Sequence, residues 1–189
     1  MARKKPIPEL KHLDHVLVSE KAIQRRVAEL GEQINRAYRR RDLTVIAIVN
    51  GALIFTADLL RQMRSPLRLD CVRASSYHKG TKSVGKPVVI DNLKLDIKGQ
   101  HILLVDDILD TGKTLYAVKK LLLKKGAASV KTCVLLDKKA RRVVPFQAEY
   151  VGFDIPNEFV VGYGLDFSER YRNLPCIGVL KRKFYAGAI

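Results

Sequence analysis

The chain contains the segment Val105-Asp106-Asp107-Ile108-Leu109-Asp110-Thr111-Gly112-Lys113-Thr114. The largely apolar run 101–104 precedes this segment and is typical of a buried strand. After the segment, Leu115, Val118, Leu121 and Leu122 recur at the spacing of one helix face. The segment is therefore predicted to turn from a strand into a helix, with two adjacent carboxylates at the end of the strand.

The polar residues of this turn indicate a site for a phosphorylated sugar. Thr111, Gly112, Lys113 and Thr114 stand at a predicted helix start, where free backbone N–H groups form a natural phosphate cradle. Carboxylates on the rim of such a cradle suit the hydroxyl groups and the divalent metal of a sugar phosphate.

Commoner motifs explain the segment less well. A nucleotide-binding P-loop requires glycine five residues before Gly112, and that position is Asp107. An acidic helix cap would account for Asp110 and Thr111 but would leave Asp106 and Asp107 unexplained. A dinucleotide-binding G-x-G-x-x-G pattern begins at residue 162 but lacks its last glycine.

Helices and strands alternate along the rest of the chain. Strands are predicted at 43–49, 67–77, 88–90, 101–104 and 130–136, and helices from Ser19, at 52–63 and at 115–125. This alternation is typical of an α/β fold with a parallel sheet, which binds ligands at the carboxyl ends of its strands. We expect residues 1–189 to form a single domain. Its core would span about 43–140, and a cap would come from the N-terminal segment and about 149–180.

Composition adds a strong basic charge. The 189 residues include 35 Lys and Arg against 19 Asp and Glu, a net charge of +16. The excess is concentrated in residues 1–41 and 119–142, away from the acidic segment. A solvated surface or an interface with acidic partners is the favoured interpretation, and nucleic-acid binding is the alternative. The apolar runs are too short to span a membrane and no apolar signal core follows the N-terminus, so we expect a cytoplasmic protein.

The segment 105–114 resembles the signature by which type I phosphoribosyltransferases bind phosphoribosyl pyrophosphate (PRPP). From about Leu43 to Leu180, the chain resembles the hypoxanthine-guanine members of that family. The resemblance implies a parallel-sheet fold with a small hood over the carboxyl ends of the strands. It also implies a Mg2+-dependent enzyme of purine salvage. Such an enzyme converts hypoxanthine or guanine and PRPP to IMP or GMP and pyrophosphate, as a homodimer or homotetramer.

The same resemblance implies roles for the residues that would bind PRPP. Asp110 matches the proposed general base, which lies beside N7 of the purine. Asp106 and Asp107 match the pair that holds the ribose hydroxyls, directly or through magnesium. The 5′-phosphate would be held by Thr111, Gly112, Lys113 and Thr114, and the pyrophosphate by Asn50, Gly51 and Arg172. Many members carry Lys or Arg where this chain has Asn50, so a backbone contact is implied there.

Further matches concern the purine and the closure of the site. Lys138 matches the donor to the 6-oxo group, Phe159 the stacking aromatic and Val160 a main-chain contact. Asp166 matches a residue that contacts the base through its backbone and lies beside a second magnesium. Ser76 and Tyr77 match a lid. The sequence leaves open xanthine acceptance, the preference between hypoxanthine and guanine, and oligomer size. A nucleic-acid-binding regulator that senses PRPP is the alternative function.

Overall fold

A computed structural model describes residues 7–39, 41–75, 88–90 and 93–186 of the chain. The helices are α1 (Glu20–Ala37), α2 (Leu53–Leu60) and α3 (Lys113–Lys124). The strands are β1 (Leu13–Val18), β2 (Leu43–Val49), β3 (Arg68–Ser75), β4 (Val88–Ile90), β5 (His101–Leu109), β6 (Ser129–Asp137), β7 (Tyr150–Asp154), β8 (Val160–Val161) and β9 (Ile177–Leu180).

The larger sheet has six strands in the order β4-β3-β2-β5-β6-β7. Five of them, β3, β2, β5, β6 and β7, run parallel to one another. Strand β4 pairs antiparallel with β3 at one edge. Strand β2 lies inside the sheet, and its residues 43–48 are all buried, as expected for a strand covered on both faces. The structure confirms the predicted parallel α/β sheet.

The helices cover both faces of this sheet because neighbouring strand residues point in opposite directions. Val45 packs in one apolar core with the buried side of α1 and α2, whereas Ile46 packs in a second core with α3. Helix α1 begins where the sequence predicts, since the Ser19 hydroxyl accepts a hydrogen bond of 3.3 Å from the Ala22 N–H.

A smaller sheet joins the two ends of the chain, with β1 and β8 antiparallel on either side of β9. It forms the hood. The hood is smaller than expected, because residues 150–154, assigned to the cap from the sequence, form edge strand β7 of the main sheet. Tyr150 is buried beside β6, and the Arg26 guanidinium donates to the Val151 and Gly152 carbonyls at 2.8 and 2.9 Å, so polar groups of the edge are satisfied.

Strand β5 is longer than the predicted strand 101–104. It pairs with β6 as far as Leu109 opposite Asp137, because β6 is equally long. The acidic pair therefore lies within the last residues of the strand, and Asp110 is the first residue beyond it. Among the described residues, no helix is long and apolar enough to cross a membrane.

Candidate active site

Candidate site residues follow the carboxyl ends of three neighbouring strands in the main sheet. Strands β2, β5 and β6 are neighbours and run in the same direction, so their carboxyl ends meet. Asn50 follows β2, Asp110 follows β5 and Lys138 follows β6. Ligands of parallel α/β sheets bind at this edge.

The acidic pair at the end of β5 is held by the backbone. One Asp106 carboxylate oxygen accepts from the Asp107 N–H at 3.0 Å, and one Asp107 oxygen accepts from the Ile108 N–H at 2.8 Å. Asp106 is 7% exposed. Burial raises the pKa of both carboxyls, and the charge of Asp107 raises the pKa of Asp106 further. This pair is therefore an electrostatically costly feature of the free protein, and a cation would relieve it.

The loop after β2 lies directly against this pair. A Cβ atom on Gly51 would lie 2.0 Å from the Asp107 Oδ2 atom, so any other residue here would displace the Asp107 carboxylate. The peptide bond between Val49 and Asn50 is cis. Asn50 itself is exposed. The structure thus brings together the predicted pyrophosphate loop and the predicted ribose-binding carboxylates.

The predicted phosphate cradle is the amino end of α3. Gly112 caps this helix with a φ angle of +81°, a conformation that favours glycine. A Cβ atom here would also meet Val144 Cγ2 at 2.8 Å. Thr111, Lys113 and Thr114 are half-buried around it. A loop at a helix start with a left-handed glycine has the form of an anion site.

Asp110 lies between the cradle and the end of β6. Its carboxylate is half-buried, and Oδ1 lies 3.4 Å from Arg141 Nε. That oxygen is buried and accepts no hydrogen bond from the residues that the structure describes. A carboxylate oxygen with an unused lone pair beside a phosphate cradle is suited to accept a substrate proton.

Lys138 is a buried cation at the end of β6, with 6% exposure. Its Nζ donates to the Glu158 carbonyl at 2.8 Å, and its backbone N–H donates to the Leu109 carbonyl at 3.0 Å. Burial lowers the pKa of the Lys138 ammonium, and the charge of Asp110 opposes that shift. The predicted purine donor and the predicted base are therefore neighbours.

The hood contributes the predicted stacking residue. The Phe159 ring stacks on Tyr185 with centroids 4.6 Å apart and planes 18° apart, and it meets Phe167 edge-on at 5.6 Å. Val160 is buried in β8, where it pairs with Val179. The contact of Tyr185 with Phe159 was not predicted from the sequence, where the adjacent aromatic residues Phe184 and Tyr185 are its only local signal.

A turn of the hood carries Asp166 and Arg172 close to the pyrophosphate loop. A Cβ atom on Gly164 would lie 2.1 Å from the Gly51 carbonyl oxygen. The Arg172 guanidinium donates to the Gly164 carbonyl at 2.7 Å and pairs with Asp166 at 2.9 Å. The positive charge of Arg172 lowers the pKa of Asp107, against the effect of burial.

The predicted metal ligands are not gathered into one cluster. Across the described ranges, no three His, Cys, Asp or Glu side chains lie close enough together to hold a metal ion. Asp166 is engaged elsewhere, since its second oxygen accepts from the Glu169 N–H at 2.9 Å. The predicted lid residues, Ser76 and Tyr77, lie outside the described residues.

Comparison with known proteins agrees with this geometry. A phosphoribosyl transferase domain model matches residues 17–168. The hypoxanthine-guanine phosphoribosyltransferase of Lactococcus lactis is 46% identical over 175 residues, which cover 93% of this chain and 95% of that protein. The chain belongs to the hypoxanthine-guanine phosphoribosyltransferase family.

Solved structures extend the match to the fold. A crystal structure of a hypoxanthine phosphoribosyltransferase from Staphylococcus aureus superposes on this phosphoribosyltransferase chain with a TM-score of 0.91 and 40% identity, covering 96% of this chain and 99% of that one. The bifunctional protein TilS/HprT of Listeria innocua is 44% identical over 92% of this chain. The chain spans 27% of the length of that relative.

We predict that Asp106→Asn stabilises the substrate-free protein. The pKa of the Asp106 carboxyl is higher in the folded protein than in the unfolded chain. Its ionisation therefore lowers the free energy of unfolding once the pH exceeds the pKa of the unfolded chain. Asparagine does not ionise and so removes this penalty. The gain should be on the order of 1 kcal/mol at neutral pH and should vanish below about pH 4.

Thermal unfolding measured from acid to neutral pH checks this prediction, with exposed Asp42→Asn as the matched control. Equal melting temperatures for Asp106→Asn and the unchanged protein at neutral pH would contradict it. PRPP binding should weaken in the same Asp106→Asn protein.

Proposed function

We propose that this chain transfers the phosphoribosyl group of PRPP to N9 of hypoxanthine or guanine, forming IMP or GMP and pyrophosphate. The hydrogen bond between the Lys138 N–H and the Leu109 carbonyl carries the proposal. This bond supports the proposal, because Lys138, which would read the purine, then lies beside the end of β5, where the sugar phosphate would bind. The printed names of the relatives agree with this reaction.

Purine selection would depend on Lys138. Its Nζ now donates to the Glu158 carbonyl and has further protons to offer to a 6-oxo group. A buried donor left without an acceptor penalises a base that carries an amino group at this position. Phe159 would stack on the purine with the ring face that Tyr185 does not cover, and the Val160 backbone would contact the purine edge.

Asp110 would act as the general base at N7 of the purine. Removing the N7 proton makes N9 a better nucleophile towards the anomeric carbon as pyrophosphate departs. The reacting ribose carries positive charge in an oxocarbenium-like transition state, so a nearby carboxylate also stabilises it electrostatically. The unsatisfied Oδ1 atom of Asp110 supports this role.

PRPP would lie along the carboxyl ends of β2 and β5. Thr111 to Thr114 would bind its 5′-phosphate at the start of α3, and Asp106 and Asp107 its ribose hydroxyls. The backbone of Asn50 and Gly51 would face the pyrophosphate. Arg172 donates to the Gly164 carbonyl beside this loop and would exchange its ion pair with Asp166 for one with pyrophosphate.

The acidic pair fits Mg2+ as the cofactor. Magnesium in such sites is bound by one or two carboxylates together with substrate oxygens and water, and Asp106 and Asp107 supply two carboxylates. A cation there would favour the ionised forms that burial disfavours. When bound, Mg2+ would offset the negative charge of the departing pyrophosphate. Asp166 fits a second ion less well, because both of its oxygens have partners.

The proposed enzyme would work as a homo-oligomer in the cytoplasm. A homo-oligomer would bury exposed apolar side chains such as Leu53 and Leu69, which are 57% and 48% exposed. All three cysteines are free, as suits a reducing compartment. Gel filtration with light scattering would give the number of copies.

We predict nucleotide formation from PRPP and Mg2+ with 6-oxopurines alone. Hypoxanthine, guanine, xanthine, adenine, orotate and uracil would be supplied in parallel, and products would be separated by chromatography. IMP and GMP should form, whereas adenine, orotate and uracil should give no nucleotide. A product from adenine at a rate like that of IMP would contradict the assignment of Lys138. If none of the bases gave a nucleotide product, the result would favour a PRPP-sensing, nucleic-acid-binding regulator instead.

We predict that Lys138→Ala lowers kcat/KM for hypoxanthine and guanine about 100-fold, the cost of losing a charged hydrogen bond. The dissociation constant of PRPP should stay within about threefold of the original, since the ammonium faces the purine. Steady-state kinetics and titration calorimetry measure the two quantities. Loss of PRPP binding with no change in purine use would overturn the assigned role.

A further inference from the structure

Arg142 is a half-buried side chain behind the site, and the sequence analysis assigned it no role. Its Nε donates to the Asp110 carbonyl at 3.1 Å, and its Nη2 donates to the Leu109 carbonyl at 3.3 Å. Its Nη1 donates to the Phe146 carbonyl at 2.5 Å. One guanidinium therefore bridges the last residue of β5 and the first residue beyond it.

Asp137 orients this guanidinium. It is the last residue of β6, it is 5% exposed, and its carboxylate forms an ion pair with Arg142 Nη2. In the sheet it stands opposite Leu109. A buried ion pair with this many hydrogen bonds fixes the direction of a planar guanidinium, and removing one partner leaves the other charge uncompensated.

The rest of the Arg142 region holds the next residues of the loop. A Cβ atom on Gly112 would lie 3.1 Å from Arg142 Cδ, so the aliphatic stem of the arginine lies against this glycine. The Val143 N–H donates to the Thr111 carbonyl at 3.1 Å. Three consecutive residues, 110 to 112, are thus held from the same side.

We propose that Arg142 is a positioning residue for Asp110. Its Nε donates to the Asp110 carbonyl, and this bond would fix the carboxylate at the distance from the purine that proton transfer requires. Displacement of a reacting group by about 1 Å can cost on the order of 100-fold in rate. This inference rests on the general-base role proposed above for Asp110.

Arg26 provides a matched control. It also donates two guanidinium hydrogen bonds to backbone carbonyls, those of Val151 and Gly152. It borders the same surface cleft as Arg142. Its carbonyl partners belong to edge strand β7 rather than to residues 109 and 110 at the end of β5. Arg26→Met should therefore reproduce the general loss of stability without the loss of positioning.

The first measurement compares kcat, KM and melting temperature for Arg142→Met and Arg26→Met. We expect Arg142→Met to lower kcat at least about tenfold, whereas Arg26→Met should keep kcat within about twofold. Equal kcat values for the two variants would overturn the proposal. If Arg142→Met does not fold, Arg142→Lys takes its place, because lysine retains the charge and stem but cannot reach all the acceptors.

A double-mutant cycle with Asp110→Asn distinguishes loss of Asp110 positioning from a general disturbance of the active-site structure. If Arg142 acts through the Asp110 carboxylate, Arg142→Met should lower kcat by less than about twofold in the Asp110→Asn background. A further fall of tenfold or so there would overturn the positioning role. If Asp110→Asn alone retains the original kcat, the proposed base is wrong, and that failure is distinguishable from failure of the positioning role.

Discussion

The site depends on the contact between the carboxyl ends of β5 and β6. The two strands pair as far as Leu109 and Asp137. Beyond that point, backbone hydrogen bonds connect the residues that follow β6 with the end of β5 and the loop after it. The Lys138 N–H reaches back to Leu109, and the Val143 N–H reaches Thr111. If the loop after β5 binds PRPP and the loop after β6 binds the purine, as we propose, these hydrogen bonds would set the distance between the two substrates.

Buried charge is the second constraint. Asp106 and Asp107 are adjacent carboxylates whose pKa values are raised by burial, and Lys138 is a buried ammonium whose pKa is lowered by burial. Each disfavours the folded protein in the absence of a partner. Substrate and cation would satisfy them together, so binding energy would be concentrated at the reacting groups. The buried pair of Asp137 and Arg142 differs, because it is already satisfied within the protein.

Most of the helices and strands could be predicted from helical spacing and apolar runs in the sequence. The helix predicted from Ser19 is α1, with Ser19 as its cap, and the strand predicted at 43–49 is β2 with those bounds. The extension of β5 through the acidic pair was not predicted, because its pairing with β6 outweighs the low strand propensity of aspartate. Strand β7 was assigned to the cap for a related reason: its place is decided by contacts with β6.

The location of the candidate site residues was predictable where it follows from a local motif, as for the residues around Gly112 at the start of α3. The proposed role of Arg142 was not, because three of its four acceptors are backbone carbonyls, and two of those lie more than 30 residues away in the sequence. The same is true of Tyr185, which meets Phe159 only through the folding of the hood. The basic surface is partly explained by pairing within the fold: Lys119 lies 2.9 Å from Glu149, and Lys139 lies 2.9 Å from Asp154.

The most direct test of this account is the single-turnover rate of IMP formation, with enzyme in excess over PRPP and with saturating hypoxanthine and Mg2+. The original protein and Asp110→Asn would be compared by rapid quench. We expect a rate at least about 100-fold lower for Asp110→Asn, with both substrates still bound. A rate within about threefold of the original would contradict the central role of Asp110.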